Sequence, residues 1–130
     1  MEALDSLKDH AREFTEATGI NIELVEEGNR IFILLKRVRL SPGLRPDVSD
    51  VLFIADTQYP LSTLDMFWTE VEVVWSDGAV PRCADAIEEY VGRRWRRFSW
   101  HANLPSSPAR NRLLDHLAFV EARWAEERKP

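Results

Sequence analysis

Residues 20–40 constrain this chain more than any other segment. Ile20, Ile22 and Leu24 alternate with Asn21 and Glu23, the period-two pattern of a strand with one covered face. Gly28-Asn29 is turn chemistry, and residues 30–40 form a longer β-branched and apolar run. Two such runs divided by a two-residue turn predict an antiparallel hairpin.

The flanking sequence supplies what packs on it. Leu4, Leu7, Ala11, Phe14 and Ala17 recur at helical spacing, with Asp5, Asp9, Glu13 and Glu16 on other faces. Residues 1–18 therefore read as an amphipathic helix closed by Gly19. Ser41-Pro42-Gly43 and Pro46-Asp47 punctuate a loop before a third strand at residues 50–55. Residues 67–75 read as a fourth strand, ended by Ser76-Asp77-Gly78. Beyond it, residues 84–91 suggest a short helix with Gly92 at its end, and residues 93–105 are dense in arginine and aromatics without a clear period. Ser107-Pro108 has the form of an N-cap followed by proline, and Leu113, Leu117, Val120 and Trp124 mark a final helix. The order predicts one α+β domain over residues 1–130: an N-terminal helix, a four-stranded antiparallel meander and C-terminal helices. Ile31, Ile33, Leu35, Leu52 and Ile54 are expected in its core, since period-two runs bury one face.

Composition narrows the function. A chain of 130 residues, 45% apolar and with five tryptophans, has room for one packed core. No uncharged run is long enough to span a bilayer, and the first residues are acidic and amphipathic where a secretory signal would be basic and then apolar. The expected compartment is the cytoplasm, with no membrane association. The net charge of −5 disfavours a general nucleic-acid binder. Cys83 is the sole cysteine, which excludes an internal disulfide, and His10, His101 and His116 are too scattered for a zinc cage. No cofactor or metal is expected.

From residue 52 to residue 101 the chain carries a recognisable series. It reads Leu52-Phe53-Ile54-Ala55, Tyr59-Pro60, Asp65-Met66-Phe67-Trp68, Asp77-Gly78, Pro81 and finally Trp95-Arg96-Arg97-Phe98-Ser99-Trp100-His101. This resembles the prokaryotic family E branch of the ubiquitin-conjugating superfamily. The resemblance implies a ubiquitin-conjugating fold and a bacterial-type pathway that attaches a ubiquitin-like protein to lysine. It also implies a ubiquitin-like protein and an adenylating activating enzyme as partners, with a metalloprotease encoded nearby. The wider superfamily places its catalytic cysteine on a loop after the fourth strand, beyond the Tyr-Pro turn. Cys83, 24 residues after Tyr59 and beyond Asp77-Gly78, falls near that place. The superfamily's His-Pro-Asn motif has no counterpart here, where Val73-Val74-Trp75-Ser76-Asp77 stands instead. The family E pattern shares the late histidine, His101, and does not include a cysteine at this place.

The candidate catalytic residues are Cys83 as nucleophile, His101 as general base or oxyanion donor, and Asn103 as a substitute oxyanion donor. A thiol suits acyl transfer because a thiolate both attacks and leaves well. The expected helix after Ala84 would put its N-terminus beside Cys83 and favour the thiolate. The bland reading is a half-buried thiol, and the residues alone leave the two balanced. Tyr59, Pro60, Trp95, Arg96 and Arg97 are candidate partner-binding residues, although large aromatics mostly serve burial. Tyr59-Pro60 is expected directly beneath the segment holding Trp95 and His101. Two functions stay open: an acyl carrier charged on Cys83, or a non-catalytic module that binds or orients a ubiquitin-like protein or its activating enzyme.

Overall fold

The structure is a computed structural model that describes residues 2–101 and 111–127. Helix α1 (Glu2–Thr18) leads into β1 (Ile22–Glu27), β2 (Arg30–Arg39), β3 (Leu44–Arg45), β4 (Val48–Asp56), β5 (Phe67–Glu70), β6 (Val74–Trp75), β7 (Ala86–Tyr90), β8 (Arg93–Phe98) and α2 (Arg112–Glu127). Gly19 ends α1 in the left-handed region at φ 77°, its amide donating to the Thr15 carbonyl at 2.8 Å.

The hairpin forms as its pattern requires, with β1 and β2 paired from Ile22↔Leu35 to Glu27↔Arg30 around Gly28-Asn29. The rest of the sheet is larger than expected. Six antiparallel strands run in the order β1-β2-β4-β5-β8-β7, and β3 and β6 form a separate two-stranded ribbon. Two expectations are corrected. Residues 67–75 are not one strand, because the chain turns after Glu70 and only Val74–Trp75 extends again, against Leu44–Arg45. Residues 84–91 are not a helix: Ala86–Tyr90 is an edge strand paired with Arg93–Phe98. The physical reason is cross-strand pairing. Trp95 and Phe98 have a sheet to be buried against, and the Val91-Gly92 turn closes a hairpin, so tertiary contact outweighs the local helical reading.

The sheet has two apolar faces. Ile31, Ile33 and Leu35 of β2 and Val51, Phe53 and Ala55 of β4 join Leu7, Phe14, Leu113, Leu117, Val120 and Trp124 in the main core, so both described helices lie on this face. Alternate residues of the same strands, Phe32, Leu34 and Leu52, pack with Trp68 and Trp95 on the opposite face. The five expected core residues thus divide: Ile31, Ile33 and Leu35 face the helices, whereas Leu52 and half-buried Ile54 serve the opposite cluster. Helix α2 starts at Asn111, whose side-chain oxygen accepts from the amides of Leu113 at 3.0 Å and Leu114 at 3.2 Å, an N-cap. Its Nδ2 donates to the His10 carbonyl at 3.0 Å and ties the helices together. The expected start at Ser107-Pro108 lies outside the described residues.

Candidate functional site

The end of β8 organises the site. Along Trp95, Arg97 and Ser99 the side chains share the face opposite the helices, while Phe98 and Trp100 enter the main core. Arg97 pairs with Glu88 of β7 at 2.8 Å, and its Nε donates to the Ser99 hydroxyl at 3.0 Å. The other Glu88 oxygen accepts from Trp68 Nε1 at 2.9 Å and from the Tyr90 hydroxyl at 3.2 Å. Beside this network opens a depression of about 310 Å³ lined in part by Ile54, Asp65, Met66, Trp68 and Tyr90.

His101 is exposed, and its Nδ1–H donates to the Asp65 carboxylate at 2.9 Å. That bond assigns Nδ1 as donor, so in the neutral ring the lone pair lies on Nε2, the arrangement a base needs. Asp65 is placed by an unusual turn. Met66 is left-handed at φ 55°, and its carbonyl accepts from Nε2 of fully buried His116 at 2.7 Å. A left-handed non-glycine residue costs energy unless its surroundings hold it, and His116 is that hold. Burial pushes the His116 pKa down, so its ring is neutral and acts as a fixed donor.

Cys83 is exposed on the turn between β6 and β7. Its backbone is left-handed at φ 60°, and its carbonyl accepts from the Ser99 amide at 3.1 Å. Neighbouring bonds lock the turn: Trp100 Nε1 donates to the Arg82 carbonyl at 2.8 Å, and Arg96 Nη1 to the Ala84 carbonyl at 2.7 Å. The turn is therefore stapled to the segment that carries His101, two residues past Ser99. No helix begins beside the thiol, so the expected helix-terminus activation is absent; β7 is a strand there.

The other sequence candidates take separate places. Tyr59 is buried in the main core and its hydroxyl is hydrogen-bonded to His10 Nδ1 at 2.6 Å. Burial raises the phenol pKa and lowers that of His10, which fits a neutral donor–acceptor pair. The Pro60 carbonyl accepts from Arg112 of α2 at 2.7 and 3.0 Å. Trp95 is fully buried on the opposite face of the sheet, so Tyr59-Pro60 does not lie beneath it. The sheet between them has two apolar faces, and a motif order cannot say which face a residue takes. Arg96 spends its guanidinium on the carbonyls of Val71 and Ala84, and Arg97 spends its own on Glu88. Asn103 lies outside the described residues. Sequence reasoning missed the parts played by Asp65, Glu88 and Ser99. The period-two row Trp95-Arg97-Ser99-His101 was the available signal, obscured by the arginines between.

Among the described residues no group of three or more His, Cys, Asp or Glu side chains is placed to hold a metal, and no helix is long and apolar enough to cross a membrane. An N-terminal helix, an antiparallel sheet and a C-terminal helix fit a ubiquitin-conjugating type of fold. The chain belongs to prokaryotic E2 family E, whose family model matches residues 7–127. No curated protein and no solved structure matches it. Membership gives it a role related to ubiquitin conjugation, a process that in general joins ubiquitin-like proteins and activating enzymes.

Proposed function

We propose that the domain carries a ubiquitin-like protein as a thioester on Cys83 and passes it to a lysine amine in a bacterial-type conjugation pathway. The observation that supports this reading most is the placement of the only cysteine. It is exposed, on a turn stapled to Ser99, two residues from a histidine oriented by a carboxylate. In the charging step the Cys83 thiolate attacks the thioester carbonyl of the charged activating enzyme, whose own thiolate leaves. In the transfer step a lysine amine attacks the Cys83 thioester, an amide forms and Cys83 leaves as the thiolate. His101, held by Asp65, takes the proton that the amine loses.

The test is incubation with the cognate activating enzyme, ubiquitin-like protein and ATP. Wild type is expected to give a thiol-sensitive adduct, and Asp65→Asn is expected to charge normally but transfer slowly. A wild-type protein that binds the ubiquitin-like partner without ever charging refutes the carrier reading. One observation favours a second, non-catalytic reading: Val73-Val74-Trp75-Ser76-Asp77 stands where the superfamily carries its oxyanion-stabilising asparagine. In that case the domain presents the ubiquitin-like protein while another protein performs the chemistry.

A further inference from the structure

We infer that the free edge of β7 is a docking rail for the extended C-terminal peptide of an acyl donor, which adds to the sheet as a seventh, antiparallel strand ending at Cys83. The inference rests on reading Cys83 as the acceptor thiol and adds where the donor's last residues lie.

β7 is the outermost strand at one end of the sheet. Hairpin parity decides which of its backbone groups are free. Tyr90 and Arg93 close a two-residue turn in which Val91 and Gly92 are both left-handed, at φ 47° and 75°. Such a turn joins a pair that exchanges both hydrogen bonds, so Tyr90/Arg93, Glu88/Trp95 and Ala86/Arg97 are the bonded pairs. Ile87 and Glu89 therefore turn their N–H and C=O outward. Among the described residues no group hydrogen-bonds to them from that side. The strand carries no proline or bulge, so among the described residues it is an open template for a further strand.

Direction and charge select the occupant. β7 runs away from Cys83, so a strand added antiparallel runs towards it, carboxyl end leading. Cys83 stands three residues before Ala86 on the adjoining turn, and its carbonyl accepts from the Ser99 amide just past the end of β8. Three residues span at most about 10 Å, so a tail of up to roughly eight residues covers β7 and brings its terminal carbonyl to the sulphur. Asp85 and Glu89 along the edge are exposed and form no ion pair among the described residues, Asp85 acting on Arg96 only at a distance. Arg94 lies across from Glu89 and Arg82 precedes Cys83, so the edge is of mixed charge and Asp85 is the acid that favours a basic side chain on the tail. The sheet's other open edge, β1, is five strands away from β7 in the sheet order and far from the thiol.

The test uses a synthetic peptide of about eight alternating valine and arginine residues ending in Gly-Gly, made as a mercaptoethanesulfonate thioester. Cys83 attacks its carbonyl, the carbon–sulphur bond to mercaptoethanesulfonate breaks, and the released thiol carries away the proton. Intact mass reads the rate, against the acetyl-Gly-Gly thioester as a probe too short to reach β7. The long peptide is expected to acylate Cys83 about tenfold faster, the gain of a few backbone hydrogen bonds. Ile87→Pro, which removes an N–H that the folded sheet does not use, is expected to erase that advantage and leave the short probe's rate unchanged. On wild type, N-methylating one alternate set of peptide amides should erase it as well, while methylating the other set should not. Equal rates for the long and short probes, or an advantage that survives Ile87→Pro and both methylations, overturn the docking inference and leave the carrier reading standing. Failure of both probes to acylate Cys83 removes the acceptor reading and the inference with it.

Discussion

Trp95→Ala should be the most damaging single substitution on the face of the sheet away from the helices. Trp95 is fully buried among Phe32, Leu34, Leu52 and Trp68. Its Nε1 donates to the Tyr90 carbonyl at 3.0 Å, and the Arg93 guanidinium lies 4.3 Å from its ring centroid. Truncating a buried tryptophan costs about 3–5 kcal/mol, a range that already includes most of the lost packing. Leaving the Tyr90 carbonyl without its donor adds about 1 kcal/mol. Relaxation acts the other way. This cluster holds five buried side chains, with Tyr90 and Val91 packed against it from a hairpin that can settle into the gap. The two corrections offset, and a loss of about 4 kcal/mol is expected. Against a total of about 5–15 kcal/mol, that leaves a marginal domain. At roughly 3–6 °C per kcal/mol for a chain of this size, the melting temperature should fall by about 12–24 °C. Trp95→Phe keeps most of the buried area and loses the hydrogen bond, so it should cost about 1–2 kcal/mol. Circular-dichroism melts and urea titrations read both. A Trp95→Ala shift of only about a degree or two would refute the argument, since a tryptophan that carries this cluster cannot be removed so cheaply.

Other outcomes follow from the same contacts. His116 has a folded pKa lowered by burial, so the unfolded chain binds its proton more readily; stability should be complete above about pH 6.5 and fall as the pH drops below it. His10, lowered for the same reason, acts in the same direction. His116→Gln, which can still donate to the Met66 carbonyl, should flatten the profile measured by urea unfolding between about pH 7 and 5. Arg96→Lys loses the fork that holds the Val71 and Ala84 carbonyls and should cost about 1–3 kcal/mol, with faster amide exchange at Ala84 beside the thiol. Cys83→Ser should turn a thiol-sensitive adduct into a thiol-resistant ester or abolish it, and His101→Ala should spare charging while slowing transfer; a single-turnover gel assay separates the two steps.

Local chemistry alone determined the parts whose partners are near in sequence. The first hairpin is legible because its period-two runs and Gly28-Asn29 turn lie within a few residues of one another, and α1 because its apolar stripe and Gly19 are local. The ordered motif from Tyr59-Pro60 to His101 was enough to place the chain in its family. Long-range pairing decided the rest. Residues 86–90 are a strand because β8 lies beside them, and β8 is a strand because β5 offers Phe67 and Trp68 to Phe98 and Arg97. The division of Leu52 from Phe53 between opposite faces needed the sheet itself, since alternation gives parity but not which side a helix will cover. The site was split in the same way. Cys83 and His101 stood out as residues, but Asp65 is 36 positions from His101. Their meeting depends on the left-handed turn at Met66, held from the main core by His116, a contact between residues 50 positions apart that no local pattern encodes.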